Sequence, residues 1–78
     1  MSKLPVLSGR ELIQTLGKVG FVPTRRKGSH VILIMTDEKG KHAVVVPDHK
    51  EVDKGTLLEI IRQANLKREE FLKLTKRT

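Results

Sequence analysis

The stretch that settles the architecture runs from Phe21 to Pro47 and reads FVPTRRKGSHVILIMTDEKGKHAVVVP. It is crowded with β-branched residues and divided by two turn clusters. Phe21–Arg26 is a first strand whose Pro23 cannot donate to a ladder, so it belongs at an edge. Lys27-Gly28 makes a tight turn. Ser29–Thr36 is a second strand, Asp37-Glu38-Lys39-Gly40 a turn, and Lys41–Pro47 a third strand with Val44, Val45 and Val46 in a row. Such short connections join antiparallel neighbours.

A two-residue turn at Lys27-Gly28 puts Arg25 opposite His30, on the same face. A turn at Glu38-Lys39 puts His30 opposite Pro47, with His49 just beyond. Register matters here, because a one-residue slip sends every side chain to the other face.

Helices flank this meander. In Leu7-Ser8-Gly9-Arg10-Glu11-Leu12, Ser8 is a cap, Glu11 reaches back to the cap amide, and Leu7 staples onto Leu12. Leu12, Ile13, Leu16 and Val19 share a helical face, which predicts a helix over 9–19 stopped by Gly20. Asp53 caps a second helix over 54–64 that buries Leu57, Ile60, Ile61 and Ala64, with Asn65 as its left-handed stop. Residues 67–74 read as a short third helix anchored by Phe71 and Leu74, and Lys76-Arg77-Thr78 as a frayed tail. Helix, three-stranded antiparallel sheet, helix, helix is an α+β two-layer sandwich, with residues 1–78 forming one domain.

The second strand is apolar on both faces, Ile32 and Ile34 on one, Val31, Leu33 and Met35 on the other. Helices on one side cannot cover both, so the bare face calls for a partner chain. A chain of 78 residues with no cysteine staple has a thin margin of its own, and a partner would add to it.

Sixteen Lys and Arg against nine Asp and Glu give a net charge of +7, which makes nucleic acid the default partner class. With Phe21 and Phe71 the only aromatics, stacking platforms for single strands are missing and an oligonucleotide-binding barrel is disfavoured. Met1-Ser2-Lys3-Leu4-Pro5 lacks the apolar stretch expected of a signal peptide, and no apolar run reaches membrane-spanning length. The expectation is a soluble cytoplasmic protein with no membrane contact and no small-molecule cofactor.

His30 follows a glycine turn at the start of a strand, fixed by its backbone yet within reach of solvent. Imidazole exchanges protons near neutral pH. Arg25, Arg26 and Lys27 supply cations where charge would build on phosphorus, and together with Gly28 and Ser29 they are the expected RNA- and phosphate-binding set. That set suits RNA cleavage through the 2′-hydroxyl, leaving a 2′,3′-cyclic phosphate and a 5′-hydroxyl. Base, acid and cation suffice for it, so no metal is needed. The plain reading of His30 is a strand-end residue with a satisfied hydrogen bond.

His49 is the second candidate, as the acid that protonates the leaving oxygen; its plain reading is a loop histidine in Pro47-Asp48-His49-Lys50. His42 belongs to the third strand and takes no role. The histidine gaps of twelve and seven residues match no familiar metal spacing. Ser29 lacks a nucleophile elbow and serves the turn or a phosphate oxygen. Gly55-Thr56 offers helix-start amides to an anion, or simply begins a helix. Arg62, Lys67, Arg68, Lys73, Lys76 and Arg77 are a solvated face unless space gathers them into a phosphate track. The rival to catalysis is a small RNA-binding or partner-docking module of the same fold, with salt-sensitive affinity and no product ends.

Ser8-Gly9-x-Glu11-Leu12, Gly20-Phe21, Arg25-x-Lys27-Gly28-Ser29-His30, Val46-Pro47-x-His49 and Gly55-Thr56-Leu57-x-x-Ile60-Ile61-Arg62-Gln63-Ala64 together resemble, in order and spacing, the HicA (YcfA-like) toxins. The resemblance runs from about Ser8 to Leu74. It implies a double-stranded-RNA-binding-like fold and a ribosome-independent mRNA interferase, the toxin of a type II toxin–antitoxin system, neutralised by a HicB antitoxin. It maps the catalytic histidine onto His30, and the histidine after Val-Pro onto His49. Three positions depart from the usual pattern. Arg26 stands where glutamine is common, Asn65 replaces a glycine, and Lys67 replaces a Ser or Thr cap, which weakens the start of the last helix.

Overall fold

The computed structural model of the protein describes residues 4–75; the tail read as frayed, 76–78, lies outside them. The elements are α1 (Gly9–Gly17), β1 (Val22–Lys27), β2 (His30–Asp37), β3 (Gly40–Pro47), α2 (Lys54–Gln63) and α3 (Arg68–Thr75). This is the expected α+β order, with the helix–sheet–helix succession of the double-stranded-RNA-binding-like arrangement.

Local chemistry sets the helix ends. The Glu11 amide donates to Ser8 Oγ at 3.1 Å and the Ser8 amide to Glu11 Oε1 at 3.0 Å, a closed capping box. α1 ends at Gly17, two residues earlier than the apolar spacing predicts, because the chain then closes a further turn. In it Gly20, at φ 99°, donates to the Gly17 carbonyl and Phe21 to that of Leu16, the paired bonds of a left-handed helix stop. Asn65, at φ 59°, repeats the device after α2: its amide donates to Arg62 and that of Leu66 to Ile61. At α3 the absent Ser or Thr cap is made good by Glu70, whose carboxylate accepts from the Lys67 amide at 2.8 Å.

The sheet is antiparallel in the order β1-β2-β3. β2 and β3 pair as expected, His30 opposite Pro47 through to Asp37 opposite Gly40. The first hairpin differs. Its turn is Gly28-Ser29, so Lys27 rather than Arg25 stands opposite His30, and Arg25 pairs with Ile32. Gly28, at φ 60°, takes the first central turn position, where a two-residue hairpin accepts a glycine most readily. A bulge between Pro23 and Arg25 absorbs the extra residue.

Val31 and Leu33 of β2 and Val44 and Val46 of β3 are buried on the helix side with Leu12, Leu16, Leu57, Ile60 and Phe71. Burying each such side chain contributes about 1.5–3 kcal/mol. α1 and α2 both pack on β3, and α3 on α1. All six residues of β1 are exposed. On the opposite sheet face Ile32 and Ile34 are half-buried, and Val45 and Val22 are 40% and 58% exposed. No layer of the described chain covers them.

One contact fixes α1 against the sheet. The Gly9 amide donates to the His49 carbonyl at 2.9 Å, and the backbones meet so closely that a Cβ on Gly9 would lie 2.8 Å from Asp48 Cα and collide with the Pro47 carbonyl. Only glycine can begin this helix here.

Candidate functional site

Directly paired residues share a face. The ladder therefore sets Lys27, His30 and Pro47 in one row at the Gly28-Ser29 end of the sheet, with Arg25, Ile32 and Val45 in the next. All of this lies on the face away from the helices. The His30 side chain is exposed and makes no hydrogen bond or ion pair among the described residues. The plain reading, a ring satisfied by a hydrogen bond, is not what the structure has. An unengaged imidazole beside two cations can accept a proton from a bound hydroxyl.

Arg26 goes the other way. It pairs with Val31, a helix-side position, and its Nη2 donates to Asp48 Oδ2 at 2.9 Å while Nε donates to the Gly28 carbonyl at 3.1 Å. The Asp48 amide donates to the Ser29 carbonyl at 2.6 Å, so the turn and the chain leaving β3 are tied twice. The Ser29 hydroxyl is exposed and without a partner among the described residues.

His49 lies past this tie. With Ser8, Arg10, Asp48 and Lys50 it lines a groove beside the start of α1. Its ring makes no hydrogen bond among the described residues, to His30 or to any other group. Nothing in the sequence singles out Arg10 and Lys50: Arg10 reads only as filler inside a capping motif, and nothing local announces that α1 starts against the residues after Pro47. The tie between Gly9 and His49 brings them together.

The other candidates are accounted for by local bonds. His42 Nε2 lies 3.0 Å from Asp37 Oδ1 at the far end of β2 from His30, and that bond, helped by the Lys39 amide, holds the Asp37 carboxyl below the usual carboxylate range. At Gly55-Thr56 the helix start is already filled. Asp53 accepts from the Thr56 hydroxyl at 2.7 Å and the Thr56 amide at 3.1 Å, and these bonds hold its carboxyl below the usual range. Arg62 is engaged by Glu59, which raises the guanidinium's pKa and is itself lowered by it. Lys67, Arg68 and Lys73 are exposed. Among the described residues no group of three or more His, Asp or Glu side chains is placed to hold a metal ion, and no helix is long and apolar enough to cross a membrane.

Residues 9–66 match the family model described as the HicA toxin of bacterial toxin–antitoxin systems. The chain belongs to the HicA toxin family. The matched span runs from the glycine that begins α1 to the residue after the Asn65 stop, so it contains Lys27, His30, Arg10 and His49. A comparison with curated proteins gives no match. As a HicA toxin the protein has an antitoxin partner.

Proposed function

We propose that this HicA toxin is a metal-independent endoribonuclease that cleaves mRNA with His30 as general base, and that a HicB-type antitoxin neutralises it. The observation that carries this reading is the exposed, unengaged ring of His30 directly opposite Lys27. His30 takes the proton of a ribose 2′-hydroxyl, the 2′-oxygen bonds to the adjacent phosphorus, and the bond to the 5′-oxygen breaks. His49 is the second acid–base group, giving the 5′-oxygen its proton. The products are a 2′,3′-cyclic phosphate and a 5′-hydroxyl.

Lys27 and Arg25 offset the negative charge that grows on the phosphoryl oxygens. The Gly28-Ser29 turn lets a strand approach closely, with the Ser29 hydroxyl free to bond a phosphate oxygen. Arg26 contributes through the Asp48 tie that holds this turn. A HicB-type protein with an acidic surface would cover Ile32, Ile34, Val45 and Val22 and neutralise Arg25 and Lys27 together.

The test is incubation of purified toxin with end-labelled RNA, with and without EDTA, followed by analysis of the ends. Cyclic-phosphate ends that survive the chelator and vanish in His30→Ala are the expected result. Salt-sensitive RNA binding with no new ends would make the protein a non-catalytic RNA-binding module instead.

A further inference from the structure

We infer that the groove between the start of α1 and the chain leaving β3 is a second phosphodiester subsite, in which Arg10 and Lys50 grip the RNA backbone beside the scissile nucleotide. This rests on the ribonuclease reading of His30 and extends it to a longer stretch of substrate.

Continuity is the first reason. Asp48, which lines the groove, bonds through its amide to Ser29, the residue before His30. The groove and His30 thus flank the same Gly28-Ser29 end of the sheet, and a strand with one phosphate at His30 and Lys27 reaches the groove by crossing that end. Charge is the second. The groove holds Arg10, Lys50 and His49 against one carboxylate, Asp48, and that carboxylate is already paired with Arg26. Arg10 and Lys50 are exposed and have no hydrogen-bond or ion-pair partner among the described residues. Construction is the third. The Gly9 amide is taken by the His49 carbonyl and the Glu11 amide by Ser8, so two helix-start amides are already engaged and the exposed side chains of Arg10 and Lys50 supply the grip. Mobile cations of this kind suit a backbone of variable sequence better than a fixed small anion.

The experiment uses a 2′-O-methyl RNA oligonucleotide, which cannot be cleaved, with binding followed by fluorescence anisotropy over a salt series. Cleavage of a dinucleoside monophosphate, which carries no phosphate beyond the scissile one to place at Arg10 and Lys50, is measured in parallel. The double variant Arg10→Ala/Lys50→Ala should bind the oligonucleotide about ten-fold more weakly, with a log–log salt slope smaller by about 1.4, the value for two single-strand phosphate contacts. It should cleave the dinucleotide like the wild type. Lys39→Ala/Lys41→Ala, with the same loss of charge at the distal hairpin, should bind like the wild type.

Unchanged oligonucleotide binding by the groove variant overturns the subsite, as does equal weakening by the distal variant, which would reduce the effect to net charge. Intact RNA binding with lost antitoxin affinity also overturns it and hands the groove to the protein partner. If wild-type toxin binds the oligonucleotide through the groove yet cleaves no RNA, the subsite stands and the ribonuclease reading fails.

Discussion

Lys27 and His30 close the β1–β2 hairpin as direct partners, with only Gly28 and Ser29 between them. Directly opposite side chains stand ~5 Å apart at Cβ, so an ammonium and an imidazole share one exposed corner of the sheet. Neither side chain makes a hydrogen bond or ion pair with the described chain.

His30→Ala should therefore lower RNA cleavage by 10²–10⁴-fold or more, roughly the range of general acid–base help, while leaving melting temperature and antitoxin binding unchanged. Rate measurements, a thermal melt and a pull-down together check this. Growth arrest by His30→Ala toxin expressed alone would count against the mechanism.

Neighbouring cations should divide by face. Lys27→Ala removes charge beside the reacting phosphate and should cost about 10²-fold in rate, the scale of one lost oxyanion partner. Arg26→Ala breaks an exposed ion pair with Asp48, worth about 0–1 kcal/mol, and should show as a lower melting temperature with a smaller effect on rate. Equal losses of rate would mean that the two faces are not chemically distinct.

His49→Ala separates acid from base through the leaving group. An RNA with a bridging 5′-sulfur at the scissile bond has a leaving group that departs without being protonated, so it should restore cleavage in His49→Ala but not in His30→Ala. RNA affinity should drop little. Loss of cleavage that the sulfur does not restore would return His49 to the role of groove wall.

The order of elements was legible because each carries its own signal: the capping box at Ser8 and Glu11, the β-branched run of β2, the periodic Leu57, Ile60 and Ile61. The second hairpin's register followed from Glu38-Lys39 being the natural two-residue turn. The first did not, since Lys27-Gly28 and Gly28-Ser29 both leave a glycine in the turn, and only the backbone shows that Gly28 takes the first central place. His30 stood out by its neighbours. The groove could not, because Arg10 and Lys50 lie forty residues apart in sequence and meet only through the docking of Gly9 on the chain after Pro47.

That docking makes Gly9→Ala a sharp test of how the site is assembled. The added methyl meets the Pro47 carbonyl and Asp48 Cα, both backbone, so neither can rotate aside. Overpacking of this kind costs about 1–3 kcal/mol, and a domain of this size loses about 4–8 °C in Tm per kcal/mol. RNA binding through Arg10 and Lys50 should weaken as well, whereas dinucleotide cleavage at His30 should fall less. Unchanged Tm would show that α1 does not need to sit this close.

Acid should weaken the cap of α2. The Thr56 hydroxyl and amide hold the Asp53 carboxyl below its ordinary value, so the folded state binds this proton less readily than the unfolded chain does. The stability this lends is present above the unfolded carboxylate value, about 3.9, and is lost as pH falls through the lower folded value. Asp53→Ala should thus lower Tm at pH 7, and the gap to wild type should narrow towards pH 2. Thr56→Val removes the largest cause of the shift, so the Asp53 carboxyl resonance should titrate at higher pH in that variant. A Tm gap that stays constant with pH, or a resonance that does not move, would show that the α2 cap owes nothing to the charge on Asp53.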